Sequence, residues 1–248
     1  MSGTNQELLN VEAVAEYLGV GPVTVYRWCR DGRLPCIKIG KEWRIRRTAL
    51  EAFLRRREQD TSLVGRLRSF YTIPDHVIVI AETRALLHRL DVAFFQIGEA
   101  HGGMLIKFCG GETAPMEDLR VQLAQGGLDL ERLEAMGQFR FIEEIDPLGG
   151  RPHELQRLQD EMVKQGRSIW ASFDWVHQVG LEEALRQQQE LTAITDSDHV
   201  VLQTGVLEQI MDDWPLAIQR RAWHLHRGMI WFSETGLSMS RMTPPPRL

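Results

Sequence analysis

The sequence has few cysteines and no long apolar run. Three cysteines lie in unrelated local contexts without a CxxC spacing, so neither a disulfide framework nor a zinc cluster is predicted. We expect all three thiols, Cys29, Cys36 and Cys109, to be reduced, buried and inert. The longest apolar runs, such as HVIVIA, fall well short of the roughly 20 residues of a membrane span, and the N-terminus MSGTNQELLN lacks a signal-peptide pattern. These absences predict a soluble, cytoplasmic protein with no membrane partner, and the DNA-binding pattern described below predicts that it is nucleoid-associated.

The sequence also lacks the motifs that bind phosphate. Neither GxxxxGK[ST] nor GxGxxG occurs, and the segment IAETRALLHRL places Glu82 where a phosphate would need hydrogen-bond donors. Ser172 lacks the flanking glycines of a G-x-S-x-G motif, and the histidines have no recognisable catalytic partners. We therefore predict that the chain is not an enzyme and that it has no cofactor.

The composition is that of a globular protein, but the charge is unevenly distributed. With 43% apolar and 25% charged residues, disorder of the whole chain is excluded. The net charge is -5, yet residues 1–60 carry 11 Lys and Arg against 8 Asp and Glu, whereas residues 61–248 carry 18 against 26. A basic end on an acidic body indicates a nucleic-acid-binding domain joined to a domain with another role.

The N-terminal end shows the pattern helix, tight turn, helix, hairpin, helix. Asn10 is a predicted N-cap before VEAVAEYL, whose apolar residues recur at helical spacing, and Gly19 ends that helix. Pro22 begins a second helix, which ends at Gly32. The runs LPCIKI and WRIRR predict a β-hairpin whose strands each have an apolar and a basic face, and TALEAFLRRR predicts a third helix. This order is typical of a helix-turn-helix with a hairpin wing.

The second helix and the hairpin carry the side chains that DNA binding requires. Val25 and Trp28 are spaced to face the first helix, which leaves polar and basic residues outside. Arg27 has the fork of donors that matches two acceptors on a guanine edge, whereas the hairpin cations suit phosphates. A solvated basic face on a small structural domain is the alternative. The predicted DNA-binding residues are Thr24, Tyr26, Arg27, Arg30, Lys38, Lys41, Arg44 and Arg46.

The block from Leu8 to Leu54 resembles the excisionase-type winged helix-turn-helix that is related to the MerR regulators. The LGV turn, the TVYR helix, the GRLP step and the segment IGKEWRI stand in the order of that family. The resemblance implies a packing role for Trp43 behind the wing tip. It also implies DNA contacts by Thr24, Tyr26, Arg27, Arg30, Lys38, Lys41 and Arg44. Glu42 departs from the family, because it places an acid at the tip of a wing that binds phosphate.

From Asp75 onward the pattern changes to alternating strands and helices. Near-continuous apolar runs separated by amphipathic helices predict a mostly parallel sheet that is covered on both faces. Ligands of such sheets bind beyond the carboxyl ends of the strands. The predicted strands are HVIVIAE, GGMLIKFCG, FRFIEEI, SIWASFDWV, HVVLQTG and GMIWFSE.

One strand end has the residues of a small-molecule pocket. Asp174 lies between Phe173 and Trp175, and an aromatic-lined pocket with one charged group suits a small ligand. The alternative is that both aromatic side chains are core residues at the end of a strand. The predicted ligand-binding residues are Glu82, Glu112, Asp174 and Trp175.

A pair of histidines near the C-terminal end is a candidate metal site. His224 and His226 could bind a metal together with Asp212 and Asp213. A helix end with exposed polar residues explains the same pattern, so no metal is predicted.

Residues 75–231 resemble the MEDS sensory domain of methanogens and methylotrophs, which also occurs in a dichloromethane-responsive repressor. The stretches PDHVIVIAETRALL and GLDLERLEAMGQFRFIEE carry the resemblance. It implies a sensory role and a fold derived from RecA-like ATPases, and it names no ligand. The predicted fold is thus a small, mainly α winged helix-turn-helix domain followed by an α/β RecA-like domain without a P-loop. The predicted divisions are 1–57 for the DNA-binding domain, 58–74 for a linker or connecting helix, 75–243 for the sensory domain and 244–248 for a disordered tail.

Together these patterns predict a one-component transcriptional regulator. Its DNA-binding domain reads double-stranded operator DNA, and its α/β domain senses a small-molecule effector or a protein partner. One small domain buries little DNA surface, so we expect a homodimer, assembled mainly through the larger domain. The alternatives are an excisionase-like architectural or recombination accessory protein, whose C-terminal domain recruits a partner, and an enzyme targeted to DNA.

Overall fold

The computed structural model describes residues 8–57, 62–110, 114–146, 148–177, 179–196 and 199–242. The chain divides into two compact units, Met1–Thr61 and Ser62–Leu248. Two of our predictions, the one for Glu112 and the one for the tail 244–248, concern residues outside the described set. None of the described helices is long and apolar enough to cross a membrane.

The first unit is a helix-turn-helix followed by a hairpin and a third helix. Its elements are β1 (Leu8–Asn10), α1 (Val11–Leu18), α2 (Pro22–Arg30), β2 (Ile37–Ile39), β3 (Glu42–Arg46) and α3 (Arg47–Arg57). The side chain of Asn10 caps α1, since its Oδ1 accepts a hydrogen bond from the backbone N of Ala13 at 2.7 Å. Gly19 ends α1 with a φ of 63°, and Pro22 is the first residue of α2. Asn10, Gly19 and Pro22 therefore lie at the helix ends that the sequence predicts.

The hairpin belongs to a three-stranded antiparallel sheet in the order β1-β3-β2. We did not predict β1, because its three residues are too few to show an alternating pattern. The register opposes Lys38 to Trp43 and Ile37 to Arg44. Directly opposed residues share a face, so Lys38 and Arg44 lie on opposite faces of the hairpin.

The core of the first unit joins all three helices to the sheet. Val25, Leu34 and Ile45 are fully buried, and Trp28 packs against Phe53 with ring centroids 5.3 Å apart. Each aliphatic side chain buried in this way stabilises the unit by about 1.5–3 kcal/mol. The three helices and the hairpin thus share one hydrophobic core.

Cys29 and Cys36 form a disulfide, with Cα atoms 5.4 Å apart. The prediction that all three cysteines are reduced is therefore wrong for this pair. It was based on the absence of a CxxC spacing, but the chain folds back between them: Gly32 adopts a φ of 69° and the backbone N of Leu34 donates to Trp28 O at 3.1 Å. Cys109 is a free, buried cysteine.

The second unit is an α/β domain built on a seven-stranded sheet. Its strands are β4 (Asp75–Ala81), β5 (Met104–Cys109), β6 (Phe139–Glu143), β7 (Ile169–Asp174), β8 (Val200–Leu207), β9 (Gly228–Ser233) and β10 (Gly236–Arg241). Its helices are α4 (Leu63–Arg68), α5 (Arg84–Ala100), α6 (Met116–Gln125), α7 (Leu130–Ala135), α8 (Gly150–Gln165), α9 (Leu181–Ile194), α10 (Glu208–Asp212) and α11 (Leu216–Leu225).

The strand order is β10-β9-β4-β8-β7-β5-β6, and each neighbouring pair is parallel except β9 with β10. Both faces are covered by helices: Val77 and Val79 of β4 join the core that contains α5, whereas Ile78 and Ile80 join the core that contains α9 and α11. The prediction of a small helical N-terminal domain followed by an α/β domain with a mostly parallel sheet is confirmed.

The edge strand β10 was not predicted. Its sequence GLSMSR contains no β-branched or aromatic residue, so local propensity gives no strand signal. Tertiary contacts hold it instead: both terminal nitrogens of Arg241 bind the carboxylate of Asp75 at 2.9 Å, and the guanidinium lies 4.2 Å from the ring centroid of Phe70.

Two histidines are in contact inside the second unit. The ring centroids of His76 and His226 are 4.3 Å apart, and the residues are 0% and 2% exposed. Nδ1 of His226 donates to Ala222 O at 2.6 Å, and His76 lies between the hydroxyls of Thr192 and Thr204. Burial lowers the pKa of His226 to about 4, and burial together with the neighbouring His226 lowers the pKa of His76 well below its ordinary value. Both rings are therefore neutral at pH 7.

We expect the free energy of unfolding to fall as the pH is lowered from about 6.5 towards 4. In that range the unfolded chain binds protons on both imidazoles, whereas His226 in the folded state binds one only near its pKa of about 4. The contribution of His226 is on the order of 3 kcal/mol, is complete above pH 6.5 and disappears near pH 4. Urea unfolding at a series of pH values measures it.

The variant His226→Gln should flatten this pH dependence. His153→Gln, at an exposed position of α8, is the matched control and should leave it unchanged. The same pH dependence in the wild type and in His226→Gln would contradict the role given to the buried ring.

Candidate functional site

Helix α2 presents the residues predicted to contact DNA on its outer side. Tyr26, Arg27 and Arg30 are exposed and Thr24 is half-buried. Arg27 makes no ion pair within the described part of the chain, and Arg30 makes an exposed one, with Nε 3.2 Å from Oδ1 of Asp31. Because an exposed pair of this kind contributes little to stability, both guanidinium groups are available to an incoming anion.

Tyr26 is connected to the first helix. Its hydroxyl donates to Oε1 of Glu12 at 3.2 Å, and the negative charge of Glu12 raises the pKa of the phenol. The hydroxyl therefore stays protonated, while the residue is 41% exposed and offers its ring as an apolar surface. Such a surface fits a thymine methyl group.

The hairpin adds further cations. Lys38, Lys41 and Arg46 are exposed, and Nζ of Lys38 lies 5.7 Å from the ring centroid of Trp43. Lys41 and Arg46 make no ion pair with any residue that the structure describes. Together α2 and the hairpin expose a set of cations with few internal partners, as an anionic polymer would require.

Arg44 is the exception, because Glu42 pairs with it. The two side chains lie two residues apart on one face of β3, and Nη1 of Arg44 also donates to Trp43 O at 3.2 Å. Glu42, which departs from the resembled family, thus has an identifiable contact. A phosphate would have to compete with this carboxylate for Arg44.

A second set of charges is buried inside the α/β domain. Nζ of Lys107, on β5, donates to Oδ2 of Asp91 at 2.8 Å and to Oγ of Ser172 at 3.2 Å, and it lies 3.5 Å from Oδ1 of Asp174. Arg84, the first residue of α5, pairs with the other oxygen of Asp174. We call these five residues the buried charge cluster.

The members of the buried charge cluster stabilise one another's charges. Burial opposes ionisation of Asp174, but Lys107 and Arg84 hold its pKa below the ordinary value. Burial likewise opposes the charge on Lys107, but Asp91 and Asp174 raise its pKa. Lys107 and Asp174 therefore remain charged at neutral pH, because neighbouring charges of opposite sign hold each of them.

Asp91 connects the cluster to one more strand, β8, and to a loop. Its Oδ1 accepts hydrogen bonds from Oγ of Ser172 and from Nε2 of Gln203 at 2.8 Å, and Gln203 in turn accepts from the hydroxyl of Tyr71. Sequence reasoning missed both Asp91 and Lys107. The available signal was a single charge within each of two apolar stretches, LDVAFF and MLIKFC.

Among the described residues, the predicted ligand-binding side chains form no common pocket: Asp174 and Trp175 line one small space, and Glu82 does not line it. Trp175 is 2% exposed and packs against Trp214 with ring centroids 4.6 Å apart. Glu82 is exposed, and its Oε2 accepts from the backbone N of Glu234 at 2.8 Å. The space lined by Asp174 and Trp175 measures about 10 Å³, which is the size of a water site. The geometry therefore favours the core alternative for Trp175, and ligand binding by this set stays a prediction.

The histidine pair considered as a metal site is divided between two environments. His224 is exposed on α11, whereas His226 is buried against Ala222 and His76. Within the described ranges, no three His, Cys, Asp or Glu side chains are grouped so that they could hold a metal ion.

Comparison with known proteins assigns a family to the N-terminal unit. Residues 8–58 match the family model described as helix-turn-helix domain. No curated protein sequence matches the chain. Among solved structures, a KaiC-like protein from the hyperthermophilic archaeon Pyrococcus horikoshii OT3 is similar, with 13% identity over 68% of this chain and 77% of that chain and a TM-score of 0.48. The N-terminal unit is therefore a helix-turn-helix domain, whereas the resemblance of the second unit to the MEDS domain stays a prediction.

The likeness to a KaiC-like protein contradicts the prediction that the chain is not an enzyme. That prediction was based on missing sequence motifs, which do not by themselves exclude a reaction. We therefore withdraw it. With 13% identity and a TM-score of 0.48 the likeness identifies no activity, and we assign no reaction to the chain.

Removing one charge from the buried cluster should destabilise the α/β domain strongly. In Asp91→Asn, Lys107 loses its 2.8 Å partner and is left buried with an incomplete set of acceptors. We expect a loss of roughly 3–5 kcal/mol in the free energy of unfolding, as is typical when one partner of a buried pair is removed. Urea unfolding followed by tryptophan fluorescence measures it. Asp213→Asn, at an exposed position, is the control, and equal stability of the two variants would contradict the account.

Proposed function

We propose that the chain is a DNA-binding, one-component transcriptional regulator. Its helix-turn-helix domain reads double-stranded operator DNA, and its α/β domain senses a small molecule or a protein partner and changes the affinity for DNA. The observation that carries the proposal is the exposed Arg27 on the second helix of the motif, which has no ion pair among the described residues. Lys41 and Arg46 on the adjoining hairpin share that property.

The two kinds of cation have different roles. Hairpin cations bind phosphates and supply affinity for any sequence, whereas an arginine fork on the second helix discriminates guanine from other bases. The acidic residues 61–248, with 26 Asp and Glu against 18 Lys and Arg, repel the duplex. DNA contact is therefore concentrated on the N-terminal domain.

We further propose that the regulator acts as a homodimer. A helix-turn-helix domain of this size covers one half-site, and useful specificity requires two half-sites. The larger unit offers the surface for assembly. Footprints that show a monomer on a single half-site would overturn this part of the proposal.

The second candidate is an excisionase-like accessory protein that shapes DNA during recombination. It is supported by the hairpin next to the helix-turn-helix, since wings of this kind also serve architectural proteins. We favour regulation because bending DNA does not require a seven-stranded α/β domain.

Substitution of Arg27 and Lys41 tests the roles separately. Arg27→Ala should weaken binding to the preferred sequence by about 1–3 kcal/mol and relax discrimination at one base position. Lys41→Ala should weaken binding to all sequences and lower the slope of log affinity against log salt by about one. Fluorescence anisotropy with the full chain measures both, using a duplex selected from a random pool and a scrambled duplex. Equal losses on the two duplexes for Arg27→Ala would contradict a base-reading role.

Removal of Glu42 should strengthen DNA binding. Glu42→Gln releases Arg44 from its carboxylate partner, so that Arg44 can bind a phosphate. We expect higher affinity for every duplex and a salt slope steeper by about one. Glu51→Gln, which removes the same charge from an exposed position of α3, is the matched control. If the two variants tighten binding equally, general charge rather than the release of Arg44 is responsible.

A further inference from the structure

A groove of about 410 Å³ lies on the outer side of α5 in the second unit. It is bounded by α4 on one side and by the end of α6 on the other. Its size is that of sites that hold small organic molecules. The lining residues that the argument uses are Leu63, Val64, Ala85, Arg89, Val92 and Gln96.

The floor of the groove is apolar and closely packed. Val92 is 7% exposed, and a Cβ built on Gly126 would lie 2.4 Å from its Cγ2. Glycine is therefore required where α6 ends, because any side chain there would collide with Val92. Leu63 and Val64 of α4 supply one apolar wall. The apolar floor of the groove is thus shaped by the packing of α5 against α4 and the end of α6.

The polar groups of the groove have few internal partners. Arg89 makes no ion pair with any described residue, and its guanidinium lies 5.1 Å from the ring centroid of Phe232. Most other arginines of this acidic unit are paired, for example Arg120 with Glu134 at 2.7 Å. Gln96 makes no hydrogen bond in the part of the chain that the structure describes, and its side chain is half-buried.

The lining also contains no carboxylate. In a unit with 26 acidic and 18 basic residues, this lining has a net positive charge, which Arg89 carries. His88 lies at its inner edge, and burial lowers its pKa, so that it is neutral and does not add to this charge. Arg89 is therefore the group that attracts an anion.

We propose that this groove binds a small amphipathic anion, an apolar body with one carboxylate. The apolar body lies against Val92 and the wall formed by Leu63 and Val64. The carboxylate pairs with Arg89, and the amide of Gln96 donates to a polar atom of the ligand. Apolar contact provides most of the affinity, and the charged pair provides the orientation.

The position of the groove connects ligand binding to the DNA-binding domain, a step that rests on the proposed function. The helix α4 has six residues, too few to be stable without tertiary contacts, and it begins one residue after Ser62, where the second unit starts. A ligand in contact with Leu63 and Val64 stabilises α4 at the point where the chain arrives from the helix-turn-helix domain. The ligand thereby stabilises the first helix that follows the helix-turn-helix domain in sequence.

Binding is tested with the full chain and a matched pair of probes, 4-phenylbutyrate and its neutral amide, 4-phenylbutyramide. Isothermal titration calorimetry should show saturable binding of the carboxylate and weaker binding of the amide. Equal affinities for the two would overturn the anion preference, and absence of saturable carboxylate binding would overturn the site.

Three variants locate the site. Arg89→Gln should weaken carboxylate binding about tenfold, which corresponds to the loss of one charge-assisted hydrogen bond. Ala85→Trp should fill the groove from an exposed position and abolish binding, with an unchanged thermal unfolding midpoint as the check of folding. Arg220→Gln, an exposed arginine on α11 outside the groove, is the control and should bind as the wild type does. If Arg89→Gln and Arg220→Gln behave alike, the assignment is wrong.

The same variants distinguish a ligand site from a protein-docking surface. A change of oligomeric state in Ala85→Trp, without carboxylate binding in the wild type, would identify the groove as a protein contact and overturn the proposal.

The coupling is measured separately, as the change in affinity for a selected duplex when 4-phenylbutyrate is saturating. A change in the wild type that disappears in Arg89→Gln supports the coupling, and an unchanged affinity overturns it while leaving the site intact. Failure to select any preferred duplex would reject the proposed function without affecting the calorimetric result.

Discussion

The α/β domain depends on one buried lysine. Lys107 of β5 holds Asp91 of α5 and Asp174 of β7, and Asp91 also binds Gln203 of β8. A single helix is thereby attached to three central strands through charges that are costly to bury unless each is paired. At Asp174, where β7 ends, the space beside the cluster is only about 10 Å³. The groove on the outer side of α5 lies away from this space, and the cluster is attached to that helix through Asp91.

In the helix-turn-helix domain the charges lie at the surface, not in the core. Its cations are exposed, and those with partners, such as Arg30 with Asp31, make pairs that contribute little to stability. Exposed cations remain free to exchange small counterions for phosphates, which is the main source of affinity for DNA. We expect Glu42 to reduce that affinity, because it occupies Arg44. Under the proposed function, a moderate affinity for DNA would let a ligand control binding by a small change in free energy.

Much of the fold could be predicted because its signals are local. Asn10, Gly19 and Pro22 mark helix ends through their own local chemistry, and most of the six predicted strands are near-continuous apolar runs. The elements that were missed depend on distant partners. Strand β10 is held by the contact of Arg241 with Asp75, and the pairing of Cys29 with Cys36 follows from a turn rather than from a motif. The cluster around Lys107 joins residues up to 90 positions apart, from Arg84 to Asp174, which no local pattern reveals.

The central claim is that DNA binding by this chain serves transcription. Genome-wide mapping of its DNA occupancy, with the full chain expressed at its natural level, tests that claim most directly. The account predicts peaks next to promoters that share a two-part sequence element and are lost in Arg27→Ala. Peaks confined to recombination attachment sites, or uniform occupancy that Arg27→Ala does not change, would contradict it.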